Sequence, residues 1–164
     1  MTADETRWLD ASQQADWRAF IVGSTLLMEV LDRELRQAHG VSMAEYEVLV
    51  RLSETPDRTL RMAQIAESMQ HSRSRVTHTV SRMEKAGLIS RCAASEDRRG
   101  VEARMTDAGW DLLVAAAHTH VAGVRAHFVD IADPADFAAM GRVMNAVSDQ
   151  LVAENPGFDD IRER

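Results

Sequence analysis

The stretch Met62-Ala63-Gln64-Ile65-Ala66-Glu67-Ser68-Met69, followed after two residues by Ser72-Arg73-Ser74-Arg75-Val76-Thr77-His78-Thr79-Val80-Ser81-Arg82-Met83, decides the fold of this chain. Both segments carry apolar residues at helical spacing, and the second stops at Gly87. Two short strand patterns follow, Leu88 to Cys92 and Val101 to Met105, joined by Ser95-Glu96-Asp97-Arg98-Arg99-Gly100. A helix, a tight turn, a helix and a hairpin with an arginine tip form the layout of a winged helix-turn-helix. The pattern predicts a mainly α fold with a small β hairpin (α+β), and a chain that binds double-stranded DNA.

Outward from that stretch, 164 residues suit one domain or two closely joined small ones. Apolar residues make up 45%, enough for a core, but aromatics only 5%, so the core must be aliphatic and Met-rich. Eight Gly and three Pro leave little room for a turn-rich β architecture. No apolar run reaches membrane-spanning length and no basic-then-apolar leader opens the chain, so the expected compartment is the cytoplasm, with no membrane partner. A single cysteine, Cys92, excludes an internal disulfide and a cysteine-rich zinc site.

The net charge of −7 argues at first against nucleic acid, but the distribution of that charge argues the other way. Between Arg61 and Met105 there are nine Lys/Arg against five Asp/Glu, a local +4 that leaves −11 for the remainder. A basic module within an acidic chain is expected when one face meets phosphate.

On the N-terminal side the first dozen residues read as a frayed tail. From Ala15 a helical pattern runs through Trp17, Phe20, Ile21, Leu27, Met28, Leu31 and Leu35 to His39-Gly40, where Gly40 suits a left-handed C′ position. Ser42 and Glu45 form a capping box for the next helix, with Val41 and Tyr46 placed as its hydrophobic staple; Pro56-Asp57 ends it. On the C-terminal side Thr106-Asp107 caps a helix from about Ala108 to Val129, and Asp133-Pro134 starts another. Its stripe of Phe137, Met140, Val143, Met144, Val147 and Leu151 is one-sided. The organisation expected is therefore 1–40 tail and dimerisation helix, 41–105 winged helix-turn-helix, and 106–164 dimerisation helices. The terminal helices have too little local core to pack alone, so a homodimer is the natural assembly.

Within the second helix of the motif, Val76, Val80, Met83 and Ala86 share the face expected in the core. The other side offers Arg73, Ser74, Thr77, His78, Ser81 and Arg82, while Ser72 and Arg75 stand at its opening turn, where free N–H groups suit a phosphate. In the hairpin, Val101, Ala103 and Met105 should point inward, Glu102 and Arg104 outward. Arg98 and Arg99 at its tip suit a narrow minor groove, with Asp97 orienting an arginine. The candidate DNA-binding residues are thus Ser72, Arg73, Ser74, Arg75, Thr77, His78, Arg82, Asp97, Arg98 and Arg99.

The run Leu60 to Met69, the opening Ser72 to Thr77, Arg82-Met83-Glu84-Lys85-Ala86-Gly87-Leu88-Ile89, and Asp97-Arg98-Arg99-Gly100-Val101 resemble the MarR family of bacterial transcription factors. So does the following Met105-Thr106-Asp107-Ala108-Gly109, and the likeness covers about residues 15 to 153. The resemblance implies an obligate homodimer built from the first and last two helices, two wings and a palindromic operator. It also implies that a small aromatic or anionic effector could weaken operator binding, and Trp17, Phe20, Met28 and Tyr46 are the residues singled out to line its pocket. Repression is the expected mode, since a compact dimer on promoter DNA blocks polymerase without an activation surface.

Other readings are weaker. Cys92 invites a redox-sensing alternative, but the peroxide-sensing branch of the family carries its cysteine in the first helix, where this chain has none; a buried, small apolar role is expected instead. His118 and His120 point about 200° apart on a helix, and about 10 Å of rise separates His120 from His127, so no metal or cofactor site is expected. Without a glycine-rich phosphate loop, nucleophile elbow, HExxH or spaced acid pair, an enzyme is not expected. A winged-helix protein-interaction module is the remaining alternative, disfavoured by the arginine wing tip.

Overall fold

The structure, a computed structural model, describes residues 6–69, 71–93 and 100–155. Six α-helices and three strands follow one another as α1 (Ala11–His39), α2 (Met43–Ser53), β1 (Thr59–Arg61), α3 (Met62–Ser68), α4 (Arg73–Lys85), β2 (Ile89–Ala93), β3 (Val101–Met105), α5 (Asp107–Val124) and α6 (Pro134–Glu154). A π-helical turn, Arg125–Val129, extends α5. The expected mainly helical winged architecture is present.

Local chemistry explains the boundaries. Helix α1 starts four residues before the expected Ala15, because Asp10 caps it: its carboxylate accepts from the Gln13 N–H at 2.9 Å while the Gln13 side chain accepts from the Asp10 N–H at 3.1 Å. Gly40 closes α1 at φ 72°, its N–H donating to the Arg36 carbonyl. Ser42 and Glu45 form the capping box of α2, and Val41 and Tyr46 are both buried beside it. Asp133 caps α6 with Pro134 in its first turn.

Helix α2 is the hub. Its Val48, Leu49 and Leu52 are fully buried, and around them pack Leu35 of α1, Ile65 of α3, Val76, Val80 and Met83 of α4, and Leu113 and Ala116 of α5. The three-stranded antiparallel sheet has the order β1-β3-β2, with Leu60 opposite Ala103 and Ile89 opposite Met105 on its core face.

Strand β1 was not expected, because three residues are too few to show a period of two. Its entry into the sheet is set by Arg58, whose φ of 50° is left-handed and whose carbonyl accepts from the Met105 N–H at 2.9 Å. The Arg58 guanidinium lies 4.0 Å above the Trp110 ring and 3.8 Å from the Asp107 carboxylate, which ties the base of the sheet to α5.

Two inward assignments are corrected. Ala86 is exposed, because α4 ends at Lys85 and the chain has already turned. Val101 lies on the core side of its strand but is 46% exposed, because it borders an open groove between the hairpin, α3 and α4.

The Thr106-x-x-Gly109 motif acquires a physical reason here. The Thr106 hydroxyl donates to the Gly87 carbonyl at 2.7 Å and accepts from the Gly109 N–H at 3.1 Å. A Cβ on Gly109 would lie 2.1 Å from the Leu88 carbonyl oxygen, so only glycine lets α5 start this close to the sheet. Gly123 faces α1 in the same way, but there a Cβ would meet side chains, the Glu34 carboxylate at 2.4 Å and a Leu31 methyl at 2.9 Å, which can move aside.

The terminal helices are largely uncovered in the single chain. Of α1 only Leu31 and Leu35 are buried, and α6 has no buried residue. Trp17 is 55% exposed and Val143 61%, with Phe20, Ile21, Leu26, Met144, Val147 and Leu151 also exposed. No helix among the described residues is long and apolar enough to cross a membrane.

Candidate nucleic-acid interface

Helix α4 is fixed by its stem and presents its remainder. Val76, Thr79, Val80 and Met83 are buried, Thr79 being a stem position that the apolar pattern does not show. Ser72 caps the helix, its hydroxyl accepting from the Arg75 N–H at 3.3 Å, and the Thr77 hydroxyl donates to the Arg73 carbonyl at 2.8 Å. At about 100° per residue, the midline opposite that stem carries Ser74, His78, Ser81 and Lys85. Apart from the half-buried Ser81, these are exposed, and so are Ser72, Arg73, Arg75, Thr77 and Arg82.

The arginines fall on two flanks. Arg73 and Thr77 border a groove on the hairpin side of α4, shared with Arg61, Arg91, Gly100 and Val101. Arg75 and Arg82, with His78, border a cavity of about 660 Å³ on the other side, against Asp32 and Arg36 of α1 and Glu47 of α2. Arg82 pairs with Glu45 at 3.2 Å, so the carboxylate that caps α2 also holds α4 against it. Asp97, Arg98 and Arg99, expected at the wing tip, lie outside the described residues.

Charge in this cavity is already organised. The Arg36 guanidinium, 2.5 Å from Asp32, holds that carboxyl below its usual range, and the Met43 N–H donates to it at 2.7 Å. Burial and then the nearby Arg75 push the His71 imidazole down, and Glu47 opposes them.

The four residues expected to line an effector pocket do not meet in one place. Met28 and Tyr46 line a cavity of about 360 Å³ with Met43, Glu47 and His120. Trp17 and Phe20 stand further towards the start of α1, stacked on each other at 5.8 Å, and do not line that cavity. His120 packs 5.0 Å from the Tyr46 ring, its Nδ1 is buried without a hydrogen-bond partner among the described residues, and burial pushes its pKa down.

Two other histidines tie helices together. His127 reaches Glu34 at 2.7 Å and His39 reaches Thr119 at 2.7 Å, both joining α1 to α5 or its extension. Cys92, expected to be buried, is exposed: it stands opposite Glu102 on the face of the sheet turned away from the core.

Two arginines beside α4 were missed by sequence reasoning. Arg61 ends β1, and Arg91 in β2 lies across from Ala103. Arg91 was detectable only through Glu84, seven residues earlier, which grips it at 2.6 Å; no helical or strand period predicts that pairing.

With this geometry in view, the comparisons with known proteins are specific. A sequence profile of the MarR family matches residues 39–100. Sco3205 of Streptomyces coelicolor, a MarR family transcriptional regulator solved in complex with DNA, is 39% identical, with 90% of this chain and 92% of that chain covered at a TM-score of 0.84. AbsC, another MarR family regulator of Streptomyces coelicolor, is 35% identical, with 90% and 99% covered at a TM-score of 0.82. The HTH-type transcriptional regulator PapX of Escherichia coli is 33% identical over 72 residues, a match that spans only 44% of either chain.

Proposed function

The chain belongs to the MarR family of transcriptional regulators, and on that premise we propose that it is a homodimeric repressor of palindromic operator DNA. It is a regulator and not an enzyme. The observation that carries the proposal is α4 itself: a short helix with a buried stem and an outward row of polar side chains, standing beside a β hairpin. Residues 41–105 form the DNA-binding module, acting in the cytoplasm. Ser72, Arg73, Ser74, Arg75, Thr77, His78 and Arg82 contact the duplex, and Asp97, Arg98 and Arg99 serve the wing.

A second copy is supported by the exposed apolar side chains of α1 and α6. A helix 21 residues long with no buried residue has no stable place in a lone chain. Two copies place two recognition helices on half-sites about 10 bp apart, one turn of the duplex.

Effector control is supported by two cavities, one between α4 and the α1–α2 pair and the other among α1, α2 and α5. A small aromatic acid in the first presses between α4 and the α1–α2 pair that holds it through Arg82 and Glu45. Because half-site spacing is set by the DNA, about 1.4 kcal/mol of difference in effector binding between two helix spacings changes operator affinity tenfold.

The test is a binding isotherm on operator DNA selected from random sequence. A symmetric footprint and a steep loss of affinity with salt are expected. Salt-insensitive binding, or a footprint on one asymmetric half-site, overturns the reading and favours a protein-interaction module. For the effector, phenols and aromatic acids are screened by thermal shift. A compound that stabilises the protein yet leaves operator affinity unchanged refutes the control mechanism.

A further inference from the structure

We propose that the groove between α4 and the hairpin seats one backbone phosphate of the DNA, held by Arg73 and Arg91, an inference that rests on the DNA-binding reading above. The groove has a volume of about 440 Å³, and three guanidiniums reach its rim from three different elements: Arg61 at the end of β1, Arg73 on α4 and Arg91 on β2.

Its position selects phosphate over bases. An α-helix with its side chains is about 10–12 Å across, and the major groove is about 12 Å wide. A docked α4 therefore fills the groove, and only its outward midline, Ser74, His78 and Ser81, faces base edges. Arg73 lies about a quarter turn or more from that midline, towards the hairpin. The neighbour on that flank is the sugar–phosphate ridge.

The chemistry of the rim agrees. Arg91 donates from Nε and one Nη to the Glu84 carboxylate at 2.9 and 2.6 Å, and its backbone N–H donates to the same carboxylate at 3.2 Å. That grip engages two of the five guanidinium N–H groups and leaves three for a phosphate oxygen. Glu84 thus orients Arg91 while cancelling its charge, much as Glu102 stands 4.0 Å from Arg61. Arg73 makes no ion pair among the described residues and supplies the surplus positive charge. The remaining wall is Met62, Ala63, Thr77, Gly100 and Val101, and its one polar side chain, Thr77, already donates its hydroxyl proton to the Arg73 carbonyl at 2.8 Å.

A phosphate contact and a base contact differ in what they do to salt dependence. Affinity of the parent, Arg73→Gln, Arg91→Gln and Ser74→Ala proteins for the selected operator is measured by fluorescence anisotropy between 50 and 200 mM salt, and on every single-base variant of the operator. Each arginine substitution removes two contacts from a dimer, so the slope of log K against log salt should become shallower by about 1.8. The parent-to-variant ratio then narrows by about 12-fold across that range. The loss should also be uniform over all operator variants, while Ser74→Ala keeps the parent slope.

An unchanged slope, or a loss confined to one base-pair position, overturns the assignment. Arg73 is exposed and caps nothing, so its variant stays informative even if Arg91→Gln, deprived of the Glu84 grip, melts early. Failure of the parent to bind any DNA refutes the proposed function itself and is distinguishable from failure of the phosphate seat alone.

Discussion

Replacing Gly109 by alanine isolates the contact that joins the start of α5 to the hairpin. The added Cβ would lie 2.1 Å from the Leu88 carbonyl oxygen and 2.9 Å from Cγ of Met105. The carbonyl is backbone, held in place by the Thr106 N–H at 3.0 Å, so it cannot swing aside. Relief requires the start of α5 to withdraw by about 1 Å, because carbon and oxygen without a bond stay more than 3 Å apart. That withdrawal strains the Thr106 hydroxyl bond to Gly87 at 2.7 Å and the helix cap from Gly109 at 3.1 Å. Overpacking costs about 1–3 kcal/mol and a lost cap about 1 kcal/mol, against a gain of about 1 kcal/mol from alanine's helix propensity. The net expectation is a destabilisation of about 1–3 kcal/mol, or a fall in Tm of about 2–4 °C per kcal/mol for a chain of this size. Urea denaturation at fixed protein concentration measures it, with Gly141→Ala as the comparison because nothing lies within 4 Å of that position. A Gly109→Ala midpoint equal to or above the parent's would refute the close-approach reasoning.

Glu45→Ala should cost about 1–2 kcal/mol, since it removes the acceptor of the Ser42 N–H at 2.8 Å as well as the Arg82 pair; Glu45→Gln keeps an acceptor and should cost less than 1 kcal/mol. Equal losses in urea melts would mean that the ion pair, not the cap, carries the effect. His120 is held below its ordinary 6.5 by burial, so the unfolded chain takes up a proton first and stability should fall as pH drops below about 6.5. His120→Leu should flatten that acid-side decline in Tm, leaving a residual slope from His71, which is shifted in the same direction; an unaltered profile rejects the assignment. Val147→Arg on the exposed stripe of α6 should turn a dimer into a monomer by sedimentation velocity without loss of helix; an intact dimer would place the interface elsewhere.

Much of this molecule is legible in one dimension because its causes are local. The Ser42–Glu45 box, Gly40 and Asp133-Pro134 mark helix ends through bonds spanning three or four residues, so spacing alone reveals them. The stem of α4 follows from a period of 3.6 and the hairpin from a period of two, and the family resemblance rests on those same residues. Where local rules stop, periodicity misleads. Val101 obeys its period yet is exposed, because burial depends on what packs opposite a face, and opposite Val101 lies an open groove.

Only the tertiary structure decided the rest. Strand β1 exists because β3 lies beside it, and three residues carry no signal of their own. Gly109 reads as one more helix-opening residue until Leu88 stands against it. The division of the arginines into Arg73 on the hairpin flank and Arg75 and Arg82 on the α1–α2 flank depends on which neighbour each meets across space. Periodicity places a side chain on a face of its own helix. What stands opposite that face is set by the packing of distant segments, and that packing is where a charged side chain acquires its partner and its use.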